Sequence, residues 1–237
     1  MGLFDRFRRR DPAPLDPRGS PGSSSATGVR AVVLLREPVP ADGQAVMAHL
    51  LRQGARCEMF PRITDIVEEP GVVAGRIPGG TVKILSHPAP IARQELERPV
   101  ALAWRWPTAR EEVAAHRGHI IVHASSTQER LIDLWRLQAR LVGAVVGTTP
   151  ALGVYVPDAV MVRSRDDWLD EALTTEGDSY TPLLWVGINP VREADGRVSA
   201  YTTGMSRFGI MELEVWASTR PLQEVMDRVR DAIDEQV

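Results

Sequence analysis

The chain has 237 residues, 43% of them hydrophobic and 25% charged, an ordinary globular composition that excludes disorder as the main state. A net charge of −3 supplies no overall basic field to draw nucleic acid. The single cysteine, Cys57, excludes an internal disulfide framework and a cysteine cage for metal.

The charge is unevenly spread. Residues 1–30 hold six arginines against three acids, so the mild total hides a basic leader on an acidic body. In residues 1–10, Leu3, Phe4 and Phe7 lie among Arg6, Arg8, Arg9 and Arg10, a pattern suited to weak contact with an anionic membrane surface. The plainer explanation is the frayed start of a tail, because so short a helix is marginal in water. There is no long apolar core for a signal peptide, and Arg6 breaks the myristoylation pattern. No run approaches the ~20 apolar residues that cross a bilayer; the most apolar stretch, 131–146, is interrupted by Asp133, Arg136, Gln138 and Arg140. A cytoplasmic protein is expected. Residues 11–28 are dominated by proline, glycine and serine and read as a linker. The expected domain layout is therefore a disordered leader and linker over 1–28, then one compact body over 29–237 with two lobes at about 29–123 and 124–237.

Residues 31–35 form a short apolar run that reads as a buried strand. Asp42 caps a helix bearing Val46, Met47, Leu50 and Leu51, which Gly54 stops. Strands over 71–77 and 81–85 flank the turn Pro78-Gly79-Gly80. A short helix falls within 91–106. Thr108 and Glu111 make a capping box for a helix ending near His116, and 120–122 is the next strand. The succession is β-α-β-β-α-β, the ferredoxin-like arrangement. Ser126 and Glu129 make a second capping box for the longest helix, 127–147, and 153–156 is a strand. A helix over 166–173 precedes strands 183–191 and 197–203, which flank the hairpin signal Asp195-Gly196. Residues 210–217 alternate as a strand, and Pro221 opens a last helix with Leu222, Val225, Met226, Val229 and Ile233 on one face. The expected fold class is α+β: a mixed, mostly antiparallel sheet with helices packed on it.

Three constellations carry candidate chemistry. His116, His119 and His123 invite a metal, but on a strand His119 and His123 stand roughly 13 Å apart, too far to share one ion at ~2 Å; no metal and no cofactor is expected. His116 instead suits the carbonyls of its helix end, and His119 is either a satisfied strand residue or a substrate contact. Glu212 and Glu214 are paired on one strand face, about 6.6 Å apart, a spacing open to acid–base work and equally to a solvated face. Cys57 lacks an activating neighbour. Among the six tryptophans, Trp104 and Trp106 are the pair suited to line a groove. There is no phosphate loop, dinucleotide fingerprint, nucleophile elbow or paired-histidine zinc helix.

Residues 201–215 are the most distinctive: Tyr201-Thr202-Thr203-Gly204, then Phe208-Gly209, then Glu212-Leu213-Glu214. This pattern after a hairpin resembles the bacterial family called domain of unknown function 4261. His116-Arg117-Gly118-His119-Ile120-Ile121-Val122 and the long helix leading to Gly153-Val154-Tyr155 are similar to its upstream part. The resemblance covers about 30–217, is clearest over 180–217, and transfers no catalytic residue. It marks Thr203, Gly204, Phe208, Gly209, Glu212 and Glu214 as motif positions. Physically, Gly204 and Gly209 bracket a loop needing unusual backbone angles, and Glu212 is placed to bond that loop's amides. The expectation is a binding or protein-interaction module without a catalytic centre. Its surface would be a groove near Trp104, Trp106, His119, Tyr201, Thr203, Gly204, Phe208 and Gly209, and its partner an unidentified protein or small molecule, not nucleic acid. The rivals are a hydrolase using His119 with Glu212 or Glu214, and a membrane-surface adaptor using residues 1–10.

Overall fold

The apolar run at the start of the body becomes a strand buried on both faces. In the computed structural model, which describes residues 27–54, 63–174 and 182–237, β1 (Thr27–Leu35) sends Val29, Ala31, Val33 and Leu35 into the main core and Val32 and Leu34 into a second one. Two-residue periodicity allows this only where both faces are covered. Most of the leader, and Cys57, lie outside the described residues. Thr27 and Gly28, assigned to the linker from sequence, already pair with Ser126 and Ser125.

Helix α1 (Gly43–Gly54) follows, with Asp42 Oδ1 accepting from the Ala45 N–H at 2.9 Å as its cap. Then come β2 (Thr64–Glu69), β3 (Val72–Ile77), β4 (Gly80–His87), α2 (Arg93–Ala101), α3 (Ala109–Ala114), β5 (Gly118–Ser126), α4 (Leu131–Thr148), β6 (Ala151–Val156), β7 (Met161–Ser164) and α5 (Arg165–Thr174). Seven strands make one sheet in the order β2-β3-β4-β5-β1-β6-β7, each neighbouring pair antiparallel. The β-α-β-β-α-β succession of the first half is present, with β2 and α2 added. In space β5 and β4 lie between β1 and β3.

A second sheet, β8 (Gly187–Arg192), β9 (Val198–Thr203) and β10 (Glu214–Ser218), carries α6 (Leu222–Gln236) on one face. The protein is thus of the α+β class. The lobes divide later than expected: β6 and β7, from the second expected lobe, complete the first sheet, and the smaller layer begins at Pro182.

One face of the large sheet packs on α1, α4 and α5. The other carries α2 and α3, where Leu96, Trp106, Ala109 and Val113 meet Val32, Leu34, Tyr155 and Val162 of β1, β6 and β7, with Ile121 of β5 at the margin. Five expectations shift for local reasons. β2 escapes the sequence because its six residues are all exposed, so no apolar periodicity marks it. β7 is too short to register. The expected box at Thr108 is not made: the Thr108 hydroxyl bonds Glu112 instead, and the helix ends at Ala114. Helix α4 starts four residues late because Ser126 and Thr127 are tied to the turn before β4: the Ser126 hydroxyl donates to the Pro78 carbonyl at 2.7 Å, and the Thr127 N–H to Gly79 at 3.1 Å. Finally, β10 begins only at Glu214, because Glu212 turns back onto the loop before it.

Candidate functional site

The expected groove separates into three places. In the 201–215 motif, Glu212 is structural. Its carboxylate accepts from the Gly204 N–H at 2.9 Å, the Ser206 N–H at 3.3 Å and the Thr202 hydroxyl at 2.8 Å. Gly204 and Gly209 have φ of +103° and +72°, where a side chain is strained, and a Cβ on Gly204 would stand 2.5 Å from the Trp185 carbonyl. Phe208 packs 6.0 and 6.4 Å from the Trp135 and Trp185 rings. The Thr203 hydroxyl donates to the Ala159 carbonyl at 2.6 Å and accepts from Asn189 at 3.2 Å. The motif therefore holds the small layer against the large sheet. Tyr201 is half-buried and stands in register with the buried Asn189 and with Glu214.

The tryptophan pair is split. The Trp104 indole, 39% exposed, donates to the Ile188 carbonyl at 2.7 Å, bridging the α2–α3 connection to β8. Trp106 is 5% exposed and cannot line a groove; its ring lies over Gly153, where a Cβ would meet it at 2.6 Å, and its N–H reaches Glu112. Below Trp104, Arg163 (3% exposed) donates to Asp167 at 2.6 Å and to the Leu183 carbonyl at 2.5 Å, and Arg105 grips the other Asp167 oxygen at 2.7 Å. Burial pushes the Asp167 carboxyl upward, but the bonds and charges of Arg163 and Arg105 outweigh it and hold the carboxyl below its usual range.

His119 is elsewhere. Its ring stacks on His87 at 4.8 Å, and Nδ1 faces the Ala89 carbonyl at 2.7 Å. Burial lowers its pKa, with His87 and His116 adding to the effect against Ala89 and Glu95. The structure does not assemble His119 with the glutamates: Glu212 serves the 203–209 loop, and Glu214 takes the Trp216 indole N–H at 3.1 Å in the other sheet. The glutamates are no same-face strand pair either, since Glu212 lies outside β10. Among the described residues, no group of three or more His, Cys, Asp or Glu is placed to hold a metal.

The sequence did not reveal the concavity between α2 and α3. This groove of about 660 Å³ has Ile91, Leu96, Val100 and Val113 among its walls, with Arg93, Glu97 and Arg110 as its charged groups. Its volume falls in the ~300–1,000 Å³ range of small-molecule sites. His116, 8% exposed, closes one end: Nε2 accepts from the Ile91 N–H at 2.9 Å, and Nδ1 faces the Val113 carbonyl at 2.5 Å. That pairing gives the neutral ring with its proton on Nδ1 and fixes the loop before α2 to the end of α3. Neither Arg93 nor Arg110 has a side-chain hydrogen bond or ion pair with a described residue. The only sequence signal was the Leu96–Val100 spacing of one helix turn; that two short helices leave a gap is a tertiary outcome.

Comparison with protein-family models, with curated proteins and with solved structures finds no match. No helix among the described residues is long and apolar enough to cross a membrane.

Proposed function

We propose that the protein is a non-catalytic binding module of the cytoplasm, kin to the domain of unknown function 4261 family, and that it takes a small ligand with an apolar body and an anionic head between α2 and α3. One observation carries this reading: a groove of ligand size with an apolar floor and two arginines whose side chains have no partner among the described residues. An apolar floor contributes burial, and an arginine with free N–H groups offers a fork for a carboxylate or sulfonate. Glu97 in the same lining disfavours a ligand of high negative charge. The catalytic alternative lacks a comparable support, because Glu212 spends its carboxylate on the loop.

The test uses 1-anilinonaphthalene-8-sulfonate, a probe with both features. Saturable one-to-one fluorescence enhancement is expected for the full chain, lost in Ala114→Trp, which fills the groove from an exposed position, and weakened in Arg93→Gln/Arg110→Gln. Absence of saturable binding, or binding unchanged by Ala114→Trp, would overturn the reading.

A further inference from the structure

Among the described residues, α2 and α3 cover only part of one face of the large sheet. Along β5 burial alternates strictly: Ile120, Val122 and Ala124 are buried under α4, whereas Ile121, His123 and Ser125 are only half-buried on the reverse. The same reverse face of β4 presents Thr81, Lys83 and Leu85. Among the described residues, α2 and α3 form a core with β1, β6 and β7, and Ile121 of β5 packs at the margin of that core.

Strand register sets the groups of this face in rows. One row runs Ala74, Lys83, His123, Arg30 across β3, β4, β5 and β1. The neighbouring row is Glu69, Val72, Leu85, Ile121 and the buried Val32 across β2, β3, β4, β5 and β1, and Val67 extends the first row onto β2, 54% exposed. A cationic line thus lies beside an apolar one. Lys83 and Arg30 are exposed, and their side chains, like that of His123, make no hydrogen bond or ion pair with a described residue. Arg76 adds a further cation one row away, 3.8 Å from Asp65.

Lys83 and Arg30 stand directly opposite His123, on the strands either side of it, so a proton on that ring would sit between two cations. Burial, then Lys83, then Arg30 lower the His123 pKa. Gly28 lets that ring lie against β1, where a Cβ would stand 3.0 Å from Nε2. Lys83 is also the only lysine of the chain, set at the centre of the row.

We propose that this face, centred on Lys83, His123 and Arg30, docks an acidic and partly apolar segment of another protein. Charge complementarity selects the sign, since Lys83 and Arg30, the two exposed charges of the row, are both positive. The adjoining row of Val72, Leu85 and Ile121 selects a segment that also carries aliphatic side chains. A single-stranded nucleic acid would need aromatic platforms for its bases, and the two rows hold none beyond the His123 ring. The site is separate from the α2–α3 groove, so neither stands on the other.

The test uses the full chain and a fluorescein-labelled peptide of alternating glutamate and leucine, with oligothymidylate and vesicles of phosphatidylglycerol as rival probes. Saturable peptide binding is expected, weakened at least about tenfold in Lys83→Glu/Arg30→Glu with unchanged circular dichroism. Binding should tighten on lowering the pH below the ordinary histidine range, as His123 takes up a proton between Lys83 and Arg30, and His123→Ala should abolish that tightening. Carbodiimide coupling condenses an amine with a carboxylate, the lost water being taken up by the reagent. The peptide should therefore couple to Lys83, the only side-chain amine available. Equal binding by the charge-reversed variant, coupling confined to the N-terminal amine, or a preference for oligothymidylate or vesicles through these same residues would each overturn the proposal.

Discussion

Asp167→Asn tests what fastens α5 to the sheet and to the small layer. Asp167 receives Arg163 on one oxygen and Arg105 on the other, at 2.6 and 2.7 Å. Arg163 is 3% exposed and also donates to the Leu183 carbonyl, at the start of the small layer. Asparagine keeps the size and one acceptor but removes the charge, leaving a buried guanidinium with Glu171 at 3.4 Å as its remaining acid. Breaking a buried pair this way costs ~3–5 kcal/mol. Because the Asp167 side chain is itself 16% exposed, solvent screening trims the figure, and we expect about 2–3 kcal/mol. For a chain of this length that is a fall of roughly 4–12 °C in Tm, readable by calorimetry at neutral pH. The pH dependence supplies the sign check. The folded-state pKa of Asp167 is depressed, so its contribution is complete above the unfolded value, ~3.9, and is lost as pH falls through the folded value. The gap between wild type and variant should narrow below about pH 4. A variant melting within about 1 °C of wild type at neutral pH would refute the claim that this pair is a structural fastening.

Gly153→Ala should destabilise the chain by at least ~1–3 kcal/mol, because the new Cβ would lie 2.3 Å from the Arg163 carbonyl and 2.6 Å from the Trp106 ring; urea titration reads the loss. Glu212→Ala leaves the Gly204 and Ser206 amides without their acceptor. It should cost about 1–3 kcal/mol and speed hydrogen exchange over 203–209, whereas slow exchange there would refute the loop-fastening role. His119 and His123 both have lowered pKa values. On acidification the unfolded chain therefore takes up protons first, and stability should fall from about pH 6.5 downward. His119→Gln should flatten part of that slope in urea titrations, and an unaltered slope would show that His119 is not buried enough to matter.

The sequence by itself determined most elements and several local roles, because those depend on neighbours in the chain. Short apolar runs marked β1 and β5 as strands, Asp42 capped α1, and Glu212 was read as the acceptor for a loop bracketed by Gly204 and Gly209, as the structure has it. Where a residue points relative to distant segments was decided by tertiary structure alone. Trp104 and Trp106 differ by two positions, yet one bridges to β8 and the other is sealed over Gly153. His119 and Glu212 were each plausible members of a site, but His119 sits on β5 of the large sheet and Glu212 on the segment before β10, bonded to the Gly204 and Ser206 amides and the Thr202 hydroxyl. The α2–α3 groove and the cationic row exist only through convergence: two short helices cover part of a sheet face, and register aligns Lys83, His123 and Arg30 from three separate strands. Local periodicity says which side chains share a face of their own element, but only packing against other elements determines which face stays open.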